Sequence, residues 1–577
     1  MNTSTDTPAH AGLDQALQGL AAAADAWVGT SAQERCALLA EIKQRLLPVA
    51  QGWAETAARK KGIAGGSPLV GEEWISGPYT VMSYCNSMMA TLSHVEGKKH
   101  LKHVPLRTLP NGQLAATVLP HGIWDHLLLS GVKVEVWMQQ GVTQANLDTH
   151  TAGAYDPRSR LHQAGGVALV LGAGNIAAIA PLDVFQKLFG ENQVVILKMN
   201  PVNDYLIEFL EPALKPLIDR GVLAIVRGGA DVGKYLCEHP LVDEIHITGA
   251  GASHDAIVWG PGAEGLANKA AGTPQNKKTI TSELGAVCPT IVVPGPWSAA
   301  DVRFQAEQVA TQKLHNNGFN CVACQVLVLP RNWAQKNEFV AALERVMSAA
   351  ESRALYYPGA QQRLADFAVA NPEARTLRRS GGEPVLVAAA LGTPCDAARR
   401  TEVFAPALDM TEIDGADAES YLKAAIDFAN RGLYGTLGAN IVIHPKTLAQ
   451  IGRQRFDELL LELRYGTIAV NAWTGLGFLT PSATWGAFPG HTLADVQSGI
   501  GVVHNTFLFD RPERTVVQAP FKPFPRNLLS LSFSLLPRPP WFVTNRKGAV
   551  LGQLLVAFQH RPSFLKIPRI FLNALLG

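Results

Sequence analysis

The sequence has little of three features that would each indicate a particular class of protein. Its seven cysteines are scattered over 577 residues and odd in number, which is not the pattern of a disulfide framework. Its net charge is +2, so no electrostatic argument favours a nucleic-acid partner. It has no apolar run long enough to cross a bilayer as a helix. The first residues are polar and do not resemble a signal peptide, and we therefore predict a cytoplasmic location.

A metal site is also not predicted. Cys321 and Cys324 have the spacing C-x-x-C, but a second pair with zinc-ligand spacing is absent from the sequence. A redox pair at Cys321 and Cys324 stays open as an alternative, although nothing around it resembles a thioredoxin motif. The length and the 47% hydrophobic content instead indicate a globular protein of two or three domains.

Apolar strand-like runs alternate with helical segments from residue 165 onward, which predicts a doubly wound parallel sheet. Ligands of such sheets bind beyond the carboxyl ends of the strands. Four residues fall at or near those ends: Asn175, Lys198, Gly229 and Gly249. The string at Gly172 lacks the third glycine of the dinucleotide fingerprint, so that signal is weak. A lysine at a strand end is equally consistent with simple solvation.

Cys321 stands in the stretch HNNGFNCVAC, residues 315–324, directly before the apolar run 325–330. A tight Gly/Asn turn between a helix and a buried strand can hold a sulfur at a fixed point, and its thiolate is a nucleophile if the site lowers its pKa. The alternative is a buried, inert cysteine. Glu283 precedes another apolar strand, where partial burial would raise its pKa and suit it to be a general base. The alternative for Glu283 is an ordinary surface carboxylate.

The order of these motifs resembles the aldehyde dehydrogenase superfamily, over residues 165–509. The matching pieces are Asn175 before a helix, Val195–Lys198, Asp243–Gly249, Glu283–Gly285, Asn317–Cys321 and Glu402–Pro406. The resemblance implies an α/β fold with two doubly wound parallel-sheet domains, one for the cofactor and one catalytic, a small β oligomerisation element and a C-terminal extension. We expect the dinucleotide-binding domain at residues 1–130 and 160–280, the catalytic domain at 281–485, bridging strands at 131–159 and 495–510, and the extension at 511–577.

The resemblance also implies a role for each matching residue. Cys321 corresponds to the nucleophile, Glu283 to the base for thiol and water, and Asn175 to the donor that stabilises the oxyanion. The expected cofactor-binding residues are Lys198 at the adenosine ribose, Gly229 and Gly249 near the phosphates, and Glu402 and Phe404 at the nicotinamide ribose and ring.

The implied activity is oxidation of a small-molecule aldehyde to the carboxylic acid. It proceeds through a thiohemiacetal and a thioester, with hydride transfer to NAD or NADP, in a homodimer or homotetramer. Two alternatives stay open. One is an acyl-CoA or acyl-thioester reductase of the same superfamily, and the other is a non-catalytic scaffold that uses its tail for binding.

Several positions depart from the family pattern. Ala173-Gly174 replaces the usual Pro-Trp, Phe319 replaces a glutamine, and Ala250 replaces a serine. No acid follows the ribose lysine in residues 199–202, and losing that carboxylate removes repulsion against a 2′-phosphate. These changes indicate a divergent member, so the resemblance does not identify the substrate or decide between NAD and NADP.

The tail after residue 510 contains two short apolar runs, 528–536 and 548–558, with interspersed arginines and lysines. Such runs would expose an apolar patch if they stayed in water, so we predict that the tail packs on the enzyme body or on a neighbouring subunit. The alternative is peripheral contact with a membrane surface, because basic residues beside Leu and Phe suit anionic lipid.

Overall fold

The structure is a computed structural model that describes residues 10–159, 165–379, 382–389, 399–530 and 532–577. Its strands are β1 Leu106–Thr108, β2 Leu114–Leu119, β3 Lys133–Met138, β4 Val167–Leu171, β5 Val194–Lys198, β6 Leu223–Val226, β7 Glu244–Gly249, β8 Thr279–Leu284, β9 Cys288–Val292, β10 Cys324–Pro330, β11 Arg375–Leu377, β12 Val385–Ala389, β13 Ala407–Ile413, β14 Gly438–Val442, β15 Thr467–Val470, β16 Gly499–Ile500 and β17 Pro512–Gln518.

Helices cover the faces of the sheets. They are α1 Ala11–Val28, α2 Ala32–Lys60, α3 Val70–Trp74, α4 Thr80–Leu92, α5 Ile123–Leu128, α6 Ile179–Phe185, α7 Ile207–Ala213, α8 Lys215–Asp219, α9 Ala230–Glu238, α10 Gly251–Trp259, α11 Gly262–Ala271, α12 Ala299–Leu314, α13 Lys336–Ala349, α14 Ala360–Ala370, α15 Ala418–Gly432, α16 Pro445–Ile451, α17 Arg453–Glu462, α18 Gly475–Leu479, α19 Gly548–His560 and α20 Ile567–Leu575.

The smaller sheet has the strand order β16-β8-β7-β4-β5-β6 in the described part of the chain. Strands β4 to β8 are parallel, and the two-residue β16 pairs antiparallel with β8 at Glu283. Strands β4 and β5 are almost fully buried, as expected for parallel strands with helices on both faces. Helices α1 and α2 contribute Trp27 and Trp53 to the same core.

The larger sheet has the order β1-β2-β3-β17-β15-β14-β9-β10-β13-β12-β11 among the described residues. Its centre from β15 to β12 is parallel, and β1 to β3 form an antiparallel edge that joins through β17. Two helix-covered, mostly parallel sheets confirm the predicted α/β fold. The predicted division into domains stays a proposal, and the pairing adds that β1 and β2 lie in the larger sheet.

The chain crosses from the smaller sheet to the larger between Leu284, the end of β8, and Cys288, the start of β9. This crossing places Glu283 where the two sheets meet. Cys321 comes to the same region from the other side, because it stands between α12 and the strand β10 of the larger sheet. The fold therefore brings together two predicted site residues that are 38 positions apart.

The tail packs on the body of the same chain, as the first of our two alternatives predicted. Helix α19 crosses α3 so closely that a β-carbon on Gly71 would collide with the backbone of Gly548. The Asn86 side-chain amide donates to the Gln559 backbone carbonyl at 2.9 Å. The Arg538 guanidinium pairs with the Glu307 carboxylate at 2.6 Å. In the described residues of the run 528–536, the only helical element is the end of a short 3-10 turn, Arg526–Ser530.

Replacing Gly552 by alanine should loosen the tail. A β-carbon at Gly552 would lie 2.5 Å from the β-carbon of Trp74, and overpacking of this kind costs about 1–3 kcal/mol of the free energy of unfolding. The intrinsic helix propensity of alanine acts in the opposite direction by up to ~1 kcal/mol. Urea unfolding and limited proteolysis of the tail measure the effect. Gln553→Ala, at an exposed neighbouring position of α19, is the matched control, and equal stability of the two variants would contradict close packing.

Candidate active site

A left-handed turn positions the Cys321 segment. Helix α12 ends at Leu314, and the following residues Asn316, Asn317 and Gly318 have φ angles of 51°, 54° and 82°. Asparagine and glycine are the residues that enter this region at least cost. Gly318 has a second reason to lack a side chain, because a β-carbon there would lie 2.7 Å from the Ala405 carbonyl oxygen. The Gly/Asn turn that the sequence predicted is therefore present.

Buried ion pairs from the N-terminal part of the chain hold this turn. The Glu72 carboxylate accepts the backbone N–H of Asn316 at 2.9 Å and pairs with the Arg353 guanidinium. The Lys61 ammonium pairs with the Glu73 carboxylate at 3.0 Å. All four charged residues are less than 5% exposed. Burial of paired charges is stable only when the geometry is specific, so this cluster fixes the backbone at Asn316.

The sulfur of Cys321 lies 3.4 Å from Oε1 of Glu283, as a thiol donor to a carboxylate acceptor. Burial, together with the negative charge of Asp183, raises the pKa of Glu283 to about 7. Burial and the neighbouring Glu283 carboxylate raise the pKa of Cys321 well above its usual value. A lowered thiol pKa, the condition under which the sequence would make a resting thiolate the nucleophile, is therefore not met in this arrangement. Cys321 rests as a thiol with its base already in contact.

Asn175 lies against the same turn. Its side-chain amide donates one N–H to the Phe319 carbonyl at 3.0 Å. Since an amide nitrogen carries two hydrogens, a second donor is left. Its backbone carbonyl accepts from the Lys61 ammonium at 2.9 Å and from the Tyr356 hydroxyl at 3.2 Å. Asn175 and Cys321 both line a small cavity of about 40 Å³, so an aldehyde oxygen there would meet an amide donor.

Three of the predicted cofactor residues, Lys198, Gly229 and Gly249, line one cleft of about 990 Å³. The cleft lies at the carboxyl ends of the parallel strands, and Gly249 leads into the N-terminus of helix α10. Three further lysines border it: Lys234, Lys277 and Lys278. A helix N-terminus beside clustered ammonium groups suits an anionic phosphate, so the cleft fits a dinucleotide.

Glu402 and Phe404 approach this cleft from the catalytic side. Tyr357 lines the cleft and packs edge-on against Phe404, with 5.0 Å between ring centroids. The Glu402 carboxylate lies against Gly285, where a β-carbon would collide with it. One oxygen of Glu402 is buried without a hydrogen-bond partner, and burial raises the pKa of the group to about 8. A buried acceptor with nothing to accept from fits a ligand that brings hydroxyl donors.

Sequence reasoning missed the groups that support the predicted residues. They are the buried ion pairs at Lys61, Glu72, Glu73 and Arg353, and a polar group beside Glu283 in which Asp183 accepts from the Thr248 hydroxyl at 2.9 Å and lies 3.6 Å from His246. Asp183 stands in an otherwise apolar helix. A charged residue inside an apolar helical run was the one signal available for this group.

Comparison with known proteins agrees with this geometry. Residues 160–354 match the aldehyde dehydrogenase family. The chain is 25% identical over 170 residues to aldehyde dehydrogenase family 3 member F1 of Arabidopsis thaliana, covering 29% of this chain and 32% of the relative. It is 29% identical over 182 residues to N-succinylglutamate 5-semialdehyde dehydrogenase of Sphingopyxis alaskensis, covering 31% of this chain and 34% of the relative. The matched segments thus span about a third of the length of these curated relatives.

Solved structures match over most of the chain. An aldehyde dehydrogenase of Mycobacterium tuberculosis complexed with NAD+ has a TM-score of 0.59 at 18% identity, covering 89% of this chain and 90% of the other. The aldehyde dehydrogenase KauB of Pseudomonas aeruginosa has a TM-score of 0.58 at 18% identity, covering 88% and 89%. The fold is that of the aldehyde dehydrogenases. The chain thus has the fold of these enzymes, and its residues 160–354 match their family.

The raised pKa of Glu283 predicts that the difference in stability between the wild type and Glu283→Gln depends on pH. The folded pKa of about 7 lies above the value of 4.5 for the free group, so the folded state binds this proton more tightly. Stability from this group is complete below about pH 4.5 and is lost as the pH rises towards 7. Glu283→Gln resembles the protonated acid and should melt progressively higher than wild type between pH 5 and pH 8.

Melting temperature as a function of pH measures this effect. Glu238→Gln, at an exposed position, is the matched control and should show no such trend. A melting difference for Glu283→Gln that stays constant between pH 5 and pH 8 would contradict the raised pKa.

Proposed function

We propose that this chain oxidises an aldehyde to the carboxylic acid through a covalent Cys321 intermediate, with NAD or NADP as the hydride acceptor. The observation that carries the proposal is the contact of 3.4 Å between the Cys321 thiol and the Glu283 carboxylate. Cys321 shares a small cavity with Asn175, and Glu283 pairs in the sheet with Thr248, which lines the cleft that fits a dinucleotide. A buried thiol with its own base, beside an amide donor, suits addition to a carbonyl group.

The first step needs a proton acceptor because Cys321 rests as a thiol. Glu283 takes that proton, and the sulfur then bonds to the aldehyde carbon while negative charge develops on the oxygen. The free N–H of the Asn175 side chain is placed to donate to that oxygen. Losing one such donor typically costs about 3–4 kcal/mol of transition-state stabilisation. The Lys61 and Tyr356 contacts to the Asn175 carbonyl hold the residue in place.

A bound nicotinamide dinucleotide would accept the hydride and leave a thioester on Cys321. Glu402, with its unpartnered oxygen, and Lys198 are the residues we propose to hold its two riboses, and Gly229 and Gly249 leave room for its phosphates. Glu283 then acts a second time. With a pKa of about 7, it can remove a proton from water near neutral pH, and that water releases the acid.

The choice between NAD and NADP stays open. Related folds have been solved with NAD+ and, for 3,6-anhydro-L-galactose dehydrogenase, with NAP. The cleft of this chain is bordered by several lysines, and no carboxylate occurs in residues 199–202. Both observations are compatible with a 2′-phosphate, so cofactor titrations should include both dinucleotides.

The acyl-CoA or acyl-thioester reductase stays the runner-up. A reductase of that kind needs no hydrolytic water and therefore no base to activate it. The contact between Glu283 and Cys321 supplies such a base, which favours the hydrolysing dehydrogenase. The non-catalytic scaffold is less well supported, because Cys321 and Asn175 line one cavity and Glu283 contacts the Cys321 thiol. An aldehyde series assayed for cofactor reduction with and without coenzyme A separates these functions.

Cys321→Ala should abolish aldehyde oxidation, by at least about 10³-fold in kcat, because the covalent step is lost. Dinucleotide binding should persist, since the cleft at Lys198 is separate from the thiol. Cys324→Ala is the matched control, because Cys324 is buried in β10 and should leave most activity intact. Near-normal turnover by the Cys321 variant would overturn the assignment of the nucleophile.

Glu283→Gln should impair thioester hydrolysis more than the first hydride transfer at high pH, where hydroxide partly replaces the base for the thiol. In rapid-mixing experiments a burst of reduced cofactor should remain while steady-state turnover falls by about 10²–10⁴-fold. The wild-type steady rate should rise as the pH passes through about 7. If the burst and the steady-state turnover fall equally at every pH, Glu283 acts only on the Cys321 thiol. That result would contradict its proposed second role as the base for water.

Three further predictions stay proposals. They are the homodimer or homotetramer, the cytoplasmic location, and the peripheral contact of the tail with a membrane. Helices long and apolar enough to cross a membrane are absent from the described residues. Peripheral contact with a membrane is supported by three exposed apolar side chains of the tail. Phe564, Leu565 and Leu572 are 61%, 92% and 59% exposed. The sequence has nine Lys or Arg and no Asp or Glu after Glu513, so this face suits anionic lipid.

If the tail contacts membranes, the protein should sediment with vesicles containing phosphatidylserine and not with neutral vesicles, and binding should weaken in salt. Phe564→Ser combined with Leu565→Ser should abolish sedimentation without lowering turnover of a soluble aldehyde. Val369→Ser, at another exposed apolar position, is the control. Equal sedimentation of all proteins with both kinds of vesicle would rule out this contact.

A further inference from the structure

A second cavity lies beside the one that contains Cys321. Its volume is about 350 Å³, against about 40 Å³ for the cavity at the thiol. Ile75 and Leu479 belong to the walls of both. These two residues therefore form part of the partition between the larger cavity and the cavity at the thiol. A ligand that passes between them occupies both spaces at once.

The tail builds one side of the larger cavity. Leu551, Leu555 and Phe558 from α19, and Ile570 and Ala574 from α20, face it. Four of these side chains belong to a single buried apolar cluster, and Leu555 and Trp124 pack against it. The tail thus does more than cover the body, because it leaves a largely apolar space between itself and the body.

Polar side chains on the opposite wall already have partners within the protein. The Asn86 amide donates to the Gln559 side-chain oxygen at 2.8 Å. Ser87 and Thr506 share a hydrogen bond of 2.6 Å between their hydroxyls, and the Ser482 hydroxyl donates to a backbone carbonyl. Since these groups are satisfied, an apolar occupant would not leave them unpaired.

We propose that the larger cavity binds the hydrocarbon chain of a long-chain aliphatic aldehyde whose carbonyl carbon reaches Cys321. The inference rests on the proposed aldehyde oxidation and adds the class of substrate to it. The cavity volume falls within the roughly 300–1,000 Å³ of small-molecule sites. Its apolar walls favour methylene groups over polar ones. The hydrocarbon chain of the aldehyde would pass between Ile75 and Leu479. We therefore expect these two side chains to favour unbranched substrates.

The proposal predicts a chain-length series. Each methylene that enters an apolar site contributes about 0.8 kcal/mol, which corresponds to a factor of about four in kcat/KM per methylene. Hence kcat/KM for straight-chain aldehydes from acetaldehyde to hexadecanal should rise steeply and then level off once the cavity is full. A flat series, or a maximum at acetaldehyde, would overturn the proposal while leaving aldehyde oxidation established.

Filling the cavity should remove the selectivity. Leu555→Trp adds bulk to the wall and should lower kcat/KM for dodecanal by at least about 100-fold, with less than a threefold change for propanal. Gln553→Trp, an exposed position of the same helix outside the cavity wall, is the matched control. Phe571→Ala tests the opposite change without adding bulk to the core: it enlarges the cavity and should move the optimum to longer aldehydes.

A binding experiment separates this proposal from the proposed reaction. Cys321→Ala protein is titrated with dodecanoate and with hexanoate by calorimetry, with and without Leu555→Trp. The proposed hydrocarbon site is supported if dodecanoate binds more tightly than hexanoate and Leu555→Trp abolishes this difference. That result would hold even if the wild type oxidises no aldehyde. Equal binding of the two acids, or binding that Leu555→Trp leaves unchanged, overturns the chain site even if aldehyde oxidation is found.

Discussion

The left-handed turn before Cys321 depends on buried charge pairs. Asn316 sits in a conformation that side chains rarely adopt, and the Glu72 carboxylate holds its N–H from a segment more than 240 positions earlier. Removing one partner from such a buried pair typically costs 3–5 kcal/mol, because the other charge stays buried alone. The Lys61 ammonium, which pairs with Glu73, also donates a hydrogen bond to the Asn175 backbone carbonyl. The same electrostatic constraint thus sets both the nucleophile loop and the proposed oxyanion donor.

A second constraint follows from the low polarity of the site. Burial favours the neutral forms of Glu283, Glu402 and Cys321, so the resting site avoids placing negative charges side by side. The thiol acquires its charge only when Glu283 takes the proton, and the charge then passes to the substrate oxygen. Such a site limits unproductive chemistry of a free thiolate, since thiolates are the form that oxidises.

Local patterns were sufficient to predict much of the fold. Strands β4 to β7 are short apolar runs between helical segments, and the Gly/Asn turn needs φ values that few other residues accept. The resemblance named Cys321, Glu283 and Asn175 as site residues; the structure puts Glu283 against the thiol and Asn175 on the same cavity as Cys321, and their roles stay a proposal. The ion pairs were not predictable, because Glu72 and Arg353 show no mutual signal in one sequence. The direction of the shift in the thiol pKa was not predictable either, since it depends on how deeply the tertiary fold buries the sulfur.

The tail shows the same limit. Its apolar runs predicted packing, yet neither run indicated that α19 would leave a cavity between itself and α4. The contact of Asn86 with Gln559 joins residues 473 positions apart, so forming it closes a loop of most of the chain, at an entropic cost that grows only slowly with loop length. The cavity wall thus combines an N-terminal helix with the C-terminal tail. The space beside the thiol therefore depends on both ends of the chain, and loss of either end would remove it.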